Sequence, residues 1–201
     1  PSWPWCPVRE RLTLLTRPTA AGYVDQGLPV GERFLAGWDA FDRQAPSTAR
    51  ELVDALAADP APLLAALDRL PAATLHGDLK LANVALLDDD RVALIDWQMM
   101  AHAPVAIELA WLLVSNVALL PDPPDRVLVR YRTHADAIDG GHVLGDWAAQ
   151  VDLAWIVGLL LRGWRKGLDA QAGTRFPWAG DGASDLAWWC ERAVAAADRR
   201  L

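Results

Sequence analysis

Apolar residues recur at intervals of three and four positions along the second half of this 201-residue chain. That period places them on one face of a helix, and Pro- and Gly-containing stretches divide the pattern into separate segments. The predicted helices cover residues 105–120, 125–138, 144–170 and 183–200. The second half of the chain is therefore expected to be mostly helical.

The first half is less regular. Residues 1–31 are rich in Pro and Gly and are predicted to be mostly extended, with a short helix around 8–15. Thr48 and Glu51 form a capping-box pattern, in which two side chains satisfy free N–H groups at a helix start. Further predicted helices cover 32–43, 49–58 and 62–70.

Strand-forming residues replace the helical pattern between 74 and 97. A short strand leads into a loop, and two β-prone runs, 84–87 and 91–95, follow it. Asp residues at 88–90 join the two runs in a turn, and residues 98–104 are predicted to form a loop. The predicted fold class is mainly α with a small β-hairpin, that is, α+β.

Oxygen-bearing and cationic side chains flank this hairpin. Asp78, Lys80 and Asn83 precede its first strand, and Asp96 follows its second. The hairpin is expected to bring Asp78, Asn83 and Asp96 near one end of a small sheet. Carboxylate and amide oxygens suit Mg²⁺, which usually shares such ligands with substrate phosphates. Each residue alone is more simply explained as a turn or surface residue, so the prediction depends on their combination.

Composition narrows the functional classes. The net charge of −7 argues against nucleic-acid binding, which needs clustered Lys and Arg. Solubility alone explains a negative balance, and a cationic substrate is compatible with it. The eleven Trp residues are expected to pack in the core. The alternative is an aromatic surface for an amine or quaternary ammonium group.

The cellular location is predicted from three kinds of pattern that the sequence lacks. Cys6 and Cys190 lack the spacing of a zinc site or a disulfide framework, so reduced thiols and a cytoplasmic location are expected. The opening residues show no signal-peptide pattern. The longest apolar run, 153–161, is too short to cross a bilayer, so no membrane association is expected.

A known family shares the motifs around the hairpin. His-Gly-Asp at 76–78, Asn83 and Ile-Asp-Trp at 95–97 resemble the catalytic core of the protein-kinase-like fold. With Gly77 and Trp97 at their positions, the motifs are similar to those of the branch that contains aminoglycoside phosphotransferases and choline kinases. The resemblance is specific because three chemically different residues have the right separations in the right strand and loop context.

The resemblance implies an activity and a role for each residue. The implied enzyme uses Mg²⁺ and ATP or GTP to phosphorylate a hydroxyl of an aminoglycoside-, choline- or sugar-like small molecule. Asp78 would be the catalytic base, and Lys80 would reach the transferred phosphoryl group of the nucleotide. Asn83 and Asp96 would hold Mg²⁺ on the nucleotide phosphates. His76 is expected to brace the loop through hydrogen bonds.

The helix after the hairpin adds a second expected brace. Relatives often carry Asp-x-Ala or Asp-Leu-Ala where this chain has Glu108-Leu-Ala. Glu108 near a helix start is expected to support the catalytic loop from below. Acceptor-pocket candidates on the later helices are acidic or aromatic: Asp146, Trp147, Asp152, Trp155 and Trp178.

The resemblance covers only the C-terminal lobe of the family. Residues 1–71 are expected to be an N-terminal segment with helices, 72–104 the catalytic and metal-binding loops, and 105–201 a helical subdomain. Nothing before His76 resembles a Gly-rich phosphate loop or a strand with a nucleotide Lys, so the N-terminal nucleotide lobe is expected to be absent. Three explanations stay open: a piece of a longer kinase, a lobe that pairs with a partner chain, and a shortened relative with another role. A non-catalytic binding or interaction module is the alternative function, and nucleotidyl transfer at the same metal site is a third.

Overall fold

A computed structural model describes residues 6–88, 91–116, 119–139 and 142–201. Over these residues the chain forms nine α-helices and three two-stranded antiparallel sheets. The helices are α1 (Val8–Thr13), α2 (Arg17–Asp25), α3 (Pro29–Gln44), α4 (Ser47–Ala58), α5 (Ala61–Leu67), α6 (Val105–Asn116), α7 (Pro124–Asp139), α8 (Trp147–Gln171) and α9 (Gly182–Arg200). The strands are β1 (Ala72–Leu75), β2 (Val84–Leu86), β3 (Val92–Leu94), β4 (Ala101–Pro104), β5 (Arg175–Phe176) and β6 (Gly180–Asp181). The prediction of a mainly α chain with small β elements is confirmed.

Helix α8 lies at the centre of the core. It packs against α3, α6 and α9, and the apolar run 153–161 is buried along its whole length. A helix that is apolar all round is typical of a core position. Its backbone comes so close to α3 that a Cβ on Gly167 would collide with the backbone of Phe41. The helix begins at Trp147 rather than at the predicted 144, because Asp146 caps it by accepting the N–H of Ala149 at 3.0 Å.

The Trp residues mostly fill this core. Trp38, Trp155, Trp164 and Trp189 are each no more than 3% exposed, and the Nε1–H groups of Trp38 and Trp189 donate to backbone carbonyls. The packing prediction is confirmed for these side chains. Trp97 differs, since 40% of its surface is exposed.

Two short sheets hold the catalytic segment. Strands β2 and β3 form the predicted hairpin, with Ala85 opposite Ala93; Asp89 and Asp90 of its predicted turn lie outside the described residues. Strand β4 pairs with β1 and places His102 opposite Thr74. The prediction of a loop over 98–104 was therefore wrong for its second half, where this pairing overrides a weak local pattern.

Two predictions for the N-terminal half were also wrong. The segment predicted to be extended contains α2 and the start of α3. Pro18 and Pro29 lie in the first turns of these helices, where proline is tolerated because the first N–H groups have no partner within the helix. Thr48 does not cap α4, which begins one residue earlier, after Pro46, with no side-chain cap.

Candidate active site

The catalytic loop leaves β1 and turns sharply at Gly77. This glycine has φ +79°, and a Cβ at this position would collide with the carbonyl oxygen of Met99. Only glycine adopts this conformation at low cost. The turn therefore sends the chain from the end of β1 toward α6 and presents Asp78 between the helical body and the hairpin.

Asp78 accepts three hydrogen bonds on its carboxylate. Oδ1 accepts the indole N–H of Trp111 at 2.7 Å. Oδ2 accepts from Lys80 Nζ at 2.6 Å and from Asn83 Nδ2 at 3.1 Å. Burial opposes ionisation, but these hydrogen bonds and the charge of Lys80 outweigh it and hold the pKa of Asp78 below its usual value. Asp78 is consequently a carboxylate at neutral pH.

Two side chains fix the loop that carries Asp78. Glu108, in the first turn of α6, accepts the N–H of Gly77 at 2.9 Å and the N–H of Leu79 at 3.2 Å. His76 Nδ1 accepts the N–H of Asp78 at 3.2 Å, and this assigns the ring proton to Nε2, which lies 2.8 Å from the carbonyl of Ile95. The bracing contacts predicted for His76 and Glu108 are both present.

Asn83 links the loop to the hairpin. Its side-chain nitrogen also donates to the backbone carbonyl of Asp78 at 3.0 Å. The backbone carbonyl of Asn83 accepts the N–H of Ile95 at 3.0 Å. Asp96 is the next residue after Ile95. It is exposed and adopts left-handed φ +63°. The structure thus brings Asp78, Lys80 and Asn83 into direct contact and places Asp96 directly beyond the strand end that Asn83 holds.

Asp96 is not part of that contact network. Over the described ranges of the chain, its carboxylate has no hydrogen bond or ion pair. The same ranges contain no group of three or more His, Cys, Asp or Glu side chains suited to a metal. The predicted ligands are one amide and one carboxylate, which are oxygen donors of the kind Mg²⁺ takes when phosphates supply the rest. The donor set fits Mg²⁺ bound together with a nucleotide.

Sequence reasoning missed two residues that contact the predicted catalytic loop, Arg11 and Trp111. Arg11 in α1 donates to the carbonyl of Gly77, 66 positions away, and its guanidinium lies 4.3 Å from the ring centroid of Trp111. Burial lowers the pKa of Arg11, and the charges of Cys6, Asp78 and Glu108 oppose that shift. No local pattern indicates a contact at such a separation. Trp111 could have been found, because it lies three residues after Glu108 and so shares its helix face.

Two of the acceptor-pocket candidates, Asp152 and Trp155, line a different part of the molecule. Asp152 and Trp155 line a cavity of about 420 Å³ between α8 and α9, and the lining includes none of the catalytic-loop residues. Asp152 accepts from Arg199 at 2.6 Å and from Arg200 at 2.8 Å. These arginines hold its pKa below the usual value although burial opposes them. Its carboxylate is already neutralised and does not offer a free charge to a ligand.

The described helices include none with the length and apolar character needed to span a bilayer. No curated protein and no solved structure matches the chain closely enough to be called similar. The sequence profile of the phosphotransferase enzyme family (APH) matches residues 15–148, a range that contains the catalytic loop, the hairpin and Glu108. With two thirds of its length matched and the family's motifs gathered around Asp78, the chain belongs to the phosphotransferase enzyme family.

Proposed function

We propose that this chain is the C-terminal, kinase-like lobe of a phosphotransferase that moves the γ-phosphate of ATP or GTP to a hydroxyl of a small molecule. The observation that carries the proposal is the state of Asp78. This carboxylate is held ionised and oriented by Lys80, Asn83 and Trp111, and it keeps capacity for one further donor.

That capacity can be located on the carboxylate. An ionised carboxylate offers about four lone-pair sites, two on each oxygen. Oδ2 accepts two hydrogen bonds, whereas Oδ1 accepts one, from Trp111. The hydroxyl of the acceptor would therefore donate to Oδ1. A base with a lowered pKa orients the hydroxyl and takes its proton late, which suits the loose transition state of phosphoryl transfer.

Lys80, Asn83 and Asp96 would act on the nucleotide side. The side chain of Lys80 is 37% exposed, so it can turn from Asp78 toward a phosphoryl oxygen. Asn83 and Asp96 would hold Mg²⁺, which supplies neutralisation of the charge on the phosphates when bound. The hydroxyl proton goes to Asp78, the hydroxyl oxygen bonds to the γ-phosphorus, and the bond from that phosphorus to the β–γ bridging oxygen breaks. ADP or GDP leaves with the electron pair.

The hairpin offers a surface for the base of the nucleotide. Leu86 and Val92 lie opposite each other on the two strands that follow Asn83 and are 81% and 58% exposed. Ile95, directly after the second strand, is 54% exposed. Exposed apolar side chains so close together mark a surface that a partner covers. We infer that the base packs there and that an N-terminal lobe or a partner chain covers its other side. Residues 72–104 would carry the chemistry, and 105–201 would support it.

The test uses two single variants and one control. Asp78→Asn and Asp96→Asn should each abolish phosphate transfer from γ-labelled ATP to a panel of hydroxyl acceptors, while circular dichroism shows an unchanged fold. Loss of the base typically costs about 10²–10⁴-fold. Calorimetry should show weaker binding of Mg·ATP to Asp96→Asn than to Asp78→Asn. Asp88→Asn, a change at an exposed turn position, should leave both readouts unchanged.

Three outcomes separate the candidate functions. Turnover that survives both Asp78→Asn and Asp96→Asn would refute the proposed chemistry. Binding of Mg·ATP with no transfer to any acceptor, even with a supplied N-terminal lobe, would favour the non-catalytic module. Transfer of a nucleotidyl group instead of a phosphoryl group would favour a nucleotidyltransferase function.

A further inference from the structure

Two arginines cover the ring of Trp111. Arg11 covers it with its Cζ 4.3 Å from the ring centroid, and Arg162 of α8 has its Cζ 5.2 Å from the same centroid. The indole N–H of Trp111 donates to Oδ1 of Asp78. One aromatic ring therefore joins the predicted catalytic base to the guanidinium of Arg162.

Arg162 forms no ion pair with any residue that the structure describes. Over the residues the structure describes, no carboxylate or carbonyl accepts a hydrogen bond from it, and its Nε is buried without a partner. Its neighbour Arg165 contacts Asp169 at 3.1 Å. Burial and the charge of Arg165 lower the pKa of Arg162 to about 10, and Asp78 partly offsets them. A half-buried, unpaired cation is costly, and an incoming anion would remove that cost.

A second cation lies on the same side of the core. The guanidinium of Arg33 is 6.0 Å from the ring centroid of Trp164, and that of Arg162 is 5.4 Å from it. Arg33 is exposed, and no ion pair to it is formed within the described part of the chain. The rings of Trp111 and Trp164 are therefore covered by guanidinium groups, and an ammonium ligand cannot occupy the covered faces.

The two oxygens of Asp78 face different partners. Oδ2 contacts Lys80 and Asn83, the residues proposed to act on the nucleotide, and Oδ1 contacts Trp111, which Arg162 covers. An acceptor whose hydroxyl donates to Oδ1 is therefore on the side of Arg162.

We propose that the acceptor is an anionic hydroxy compound whose carboxylate or phosphate pairs with Arg162 while its hydroxyl donates to Asp78. This inference rests on the proposed phosphotransferase function and narrows its acceptor class. Arginine presents a planar fork of N–H donors that matches either acid group. The product carries the original acid group and a new phosphate ester, with the hydroxyl proton passed to Asp78 and ADP or GDP released.

Four three-carbon probes test the charge preference without any turnover. They share one terminal hydroxyl and differ at the other end: 3-hydroxypropionate, 3-hydroxypropyl phosphate, 1,3-propanediol and 3-amino-1-propanol. Ligand-observed NMR titration of the full chain should show binding of one or both anionic probes. The neutral and cationic probes should bind at least tenfold more weakly, as expected for loss of a charge-assisted pair. Comparison of the two anionic probes shows whether the site prefers a carboxylate or a phosphate.

Variants assign the preference to Arg162. Arg162→Gln should weaken the binding of the anionic probes at least tenfold. It should leave the affinity for Mg·ATP within about twofold of that of the unmodified chain. Arg192→Gln is the matched control, since Arg192 also covers a Trp ring, at 4.3 Å from Trp188, but pairs with Asp125. It should leave probe binding unchanged. If Arg162→Gln does not fold, Arg162→Lys keeps the charge without the fork and should still weaken the anionic probes several-fold.

Three results would overturn the inference. They are equal binding of the amine or diol, unchanged anionic binding in a folded Arg162 variant, and a loss of Mg·ATP affinity as large as the loss of probe affinity. The last result would place Arg162 on the nucleotide. Because these assays measure binding, a chain that binds 3-hydroxypropionate through Arg162 but transfers no phosphate would refute the proposed reaction and keep the anion site.

Discussion

The buried pair between Lys166 and Asp185 gives the sharpest test of how the helical body is held together. Lys166 Nζ lies 2.7 Å from Asp185 Oδ2, and the two side chains are 2% and 0% exposed. The ammonium also lies 4.3 Å from the ring centroid of Trp189. The pair joins α8 to α9. Lys166→Met keeps most of the volume and removes the charge. Asp185 is then left buried without the one partner that its carboxylate has among the described residues.

The expected cost follows from this burial. Removing one member of a buried pair typically destabilises by about 3–5 kcal/mol, because the remaining charge is uncompensated. Domains are stable by about 5–15 kcal/mol in total. With a urea dependence of about 2 kcal/mol per M, the midpoint of unfolding should fall by about 2 M. Urea denaturation followed by circular dichroism and Trp fluorescence measures it.

The loss of stability caused by Lys166→Met should depend on pH. Burial raises the pKa of Asp185 and the charge of Lys166 opposes the rise, so Lys166→Met raises this pKa further. The native state then holds the proton more tightly than the unfolded state, whose Asp has the ordinary value of 3.8. Stability of the variant therefore falls as pH rises above that value, and the deficit should be larger at about pH 8 than at about pH 4.5.

Two further variants decide whether the reasoning holds. Arg165→Met, one position away, breaks a pair in which the arginine is 41% exposed, and it should cost no more than about 1 kcal/mol. The double variant Lys166→Met with Asp185→Leu should recover most of the lost stability, since a packed apolar pair removes both buried charges. A single Lys166→Met cost below about 1 kcal/mol, or a double variant as unstable as the single one, would refute the argument.

Two other predictions concern the catalytic loop. Trp111→Phe keeps an aromatic ring but removes the indole N–H that donates to Asp78. The pKa of Asp78 should therefore rise, and the acid limb of the transfer rate should move to higher pH. An unchanged limb would contradict the role given to Trp111. Gly77→Ala should abolish transfer and destabilise by about 1–3 kcal/mol through strain at positive φ and collision with Met99. Gly173→Ala is the control, because Gly173 has φ +62° but open space where a Cβ would lie. Equal urea midpoints for the two alanine variants would show that the collision with Met99 does not contribute to the loss of stability.

Local patterns predicted the elements whose contacts are local. Helices α7 and α9 match the predicted 125–138 and 183–200 to within one residue at each end, because one apolar face and a nearby Pro or Gly define each of them. The hairpin was predicted from a turn and two β-prone runs. Glu108 was expected to brace the loop because it stands where relatives carry an Asp, and it does so by accepting two backbone N–H groups.

Long-range contacts were beyond the reach of these patterns. Strand β4 exists because it pairs with β1, about 30 positions earlier, and its own residues have no strand period. Pro18 made α2 look extended, although a proline in the first turn of a helix is neutral. Arg11 and Arg162 reach Trp111 from opposite ends of the chain. The sequence predicted which residues would carry the chemistry, and only the fold showed which residues surround them.

The tie between Arg11 and Gly77 gives the first helix control over the dynamics of the catalytic loop. Helix α1 has six residues, too few to persist without tertiary contacts, and so short an element can open at a fraction of the free energy of global unfolding. Each opening withdraws a donor from the Gly77 carbonyl and admits water to one face of Trp111. The population of loops competent for the proposed transfer is thus thermodynamically linked to the docking of a segment 66 positions upstream. A molecule that captures the undocked segment would inhibit the proposed transfer without contacting Asp78.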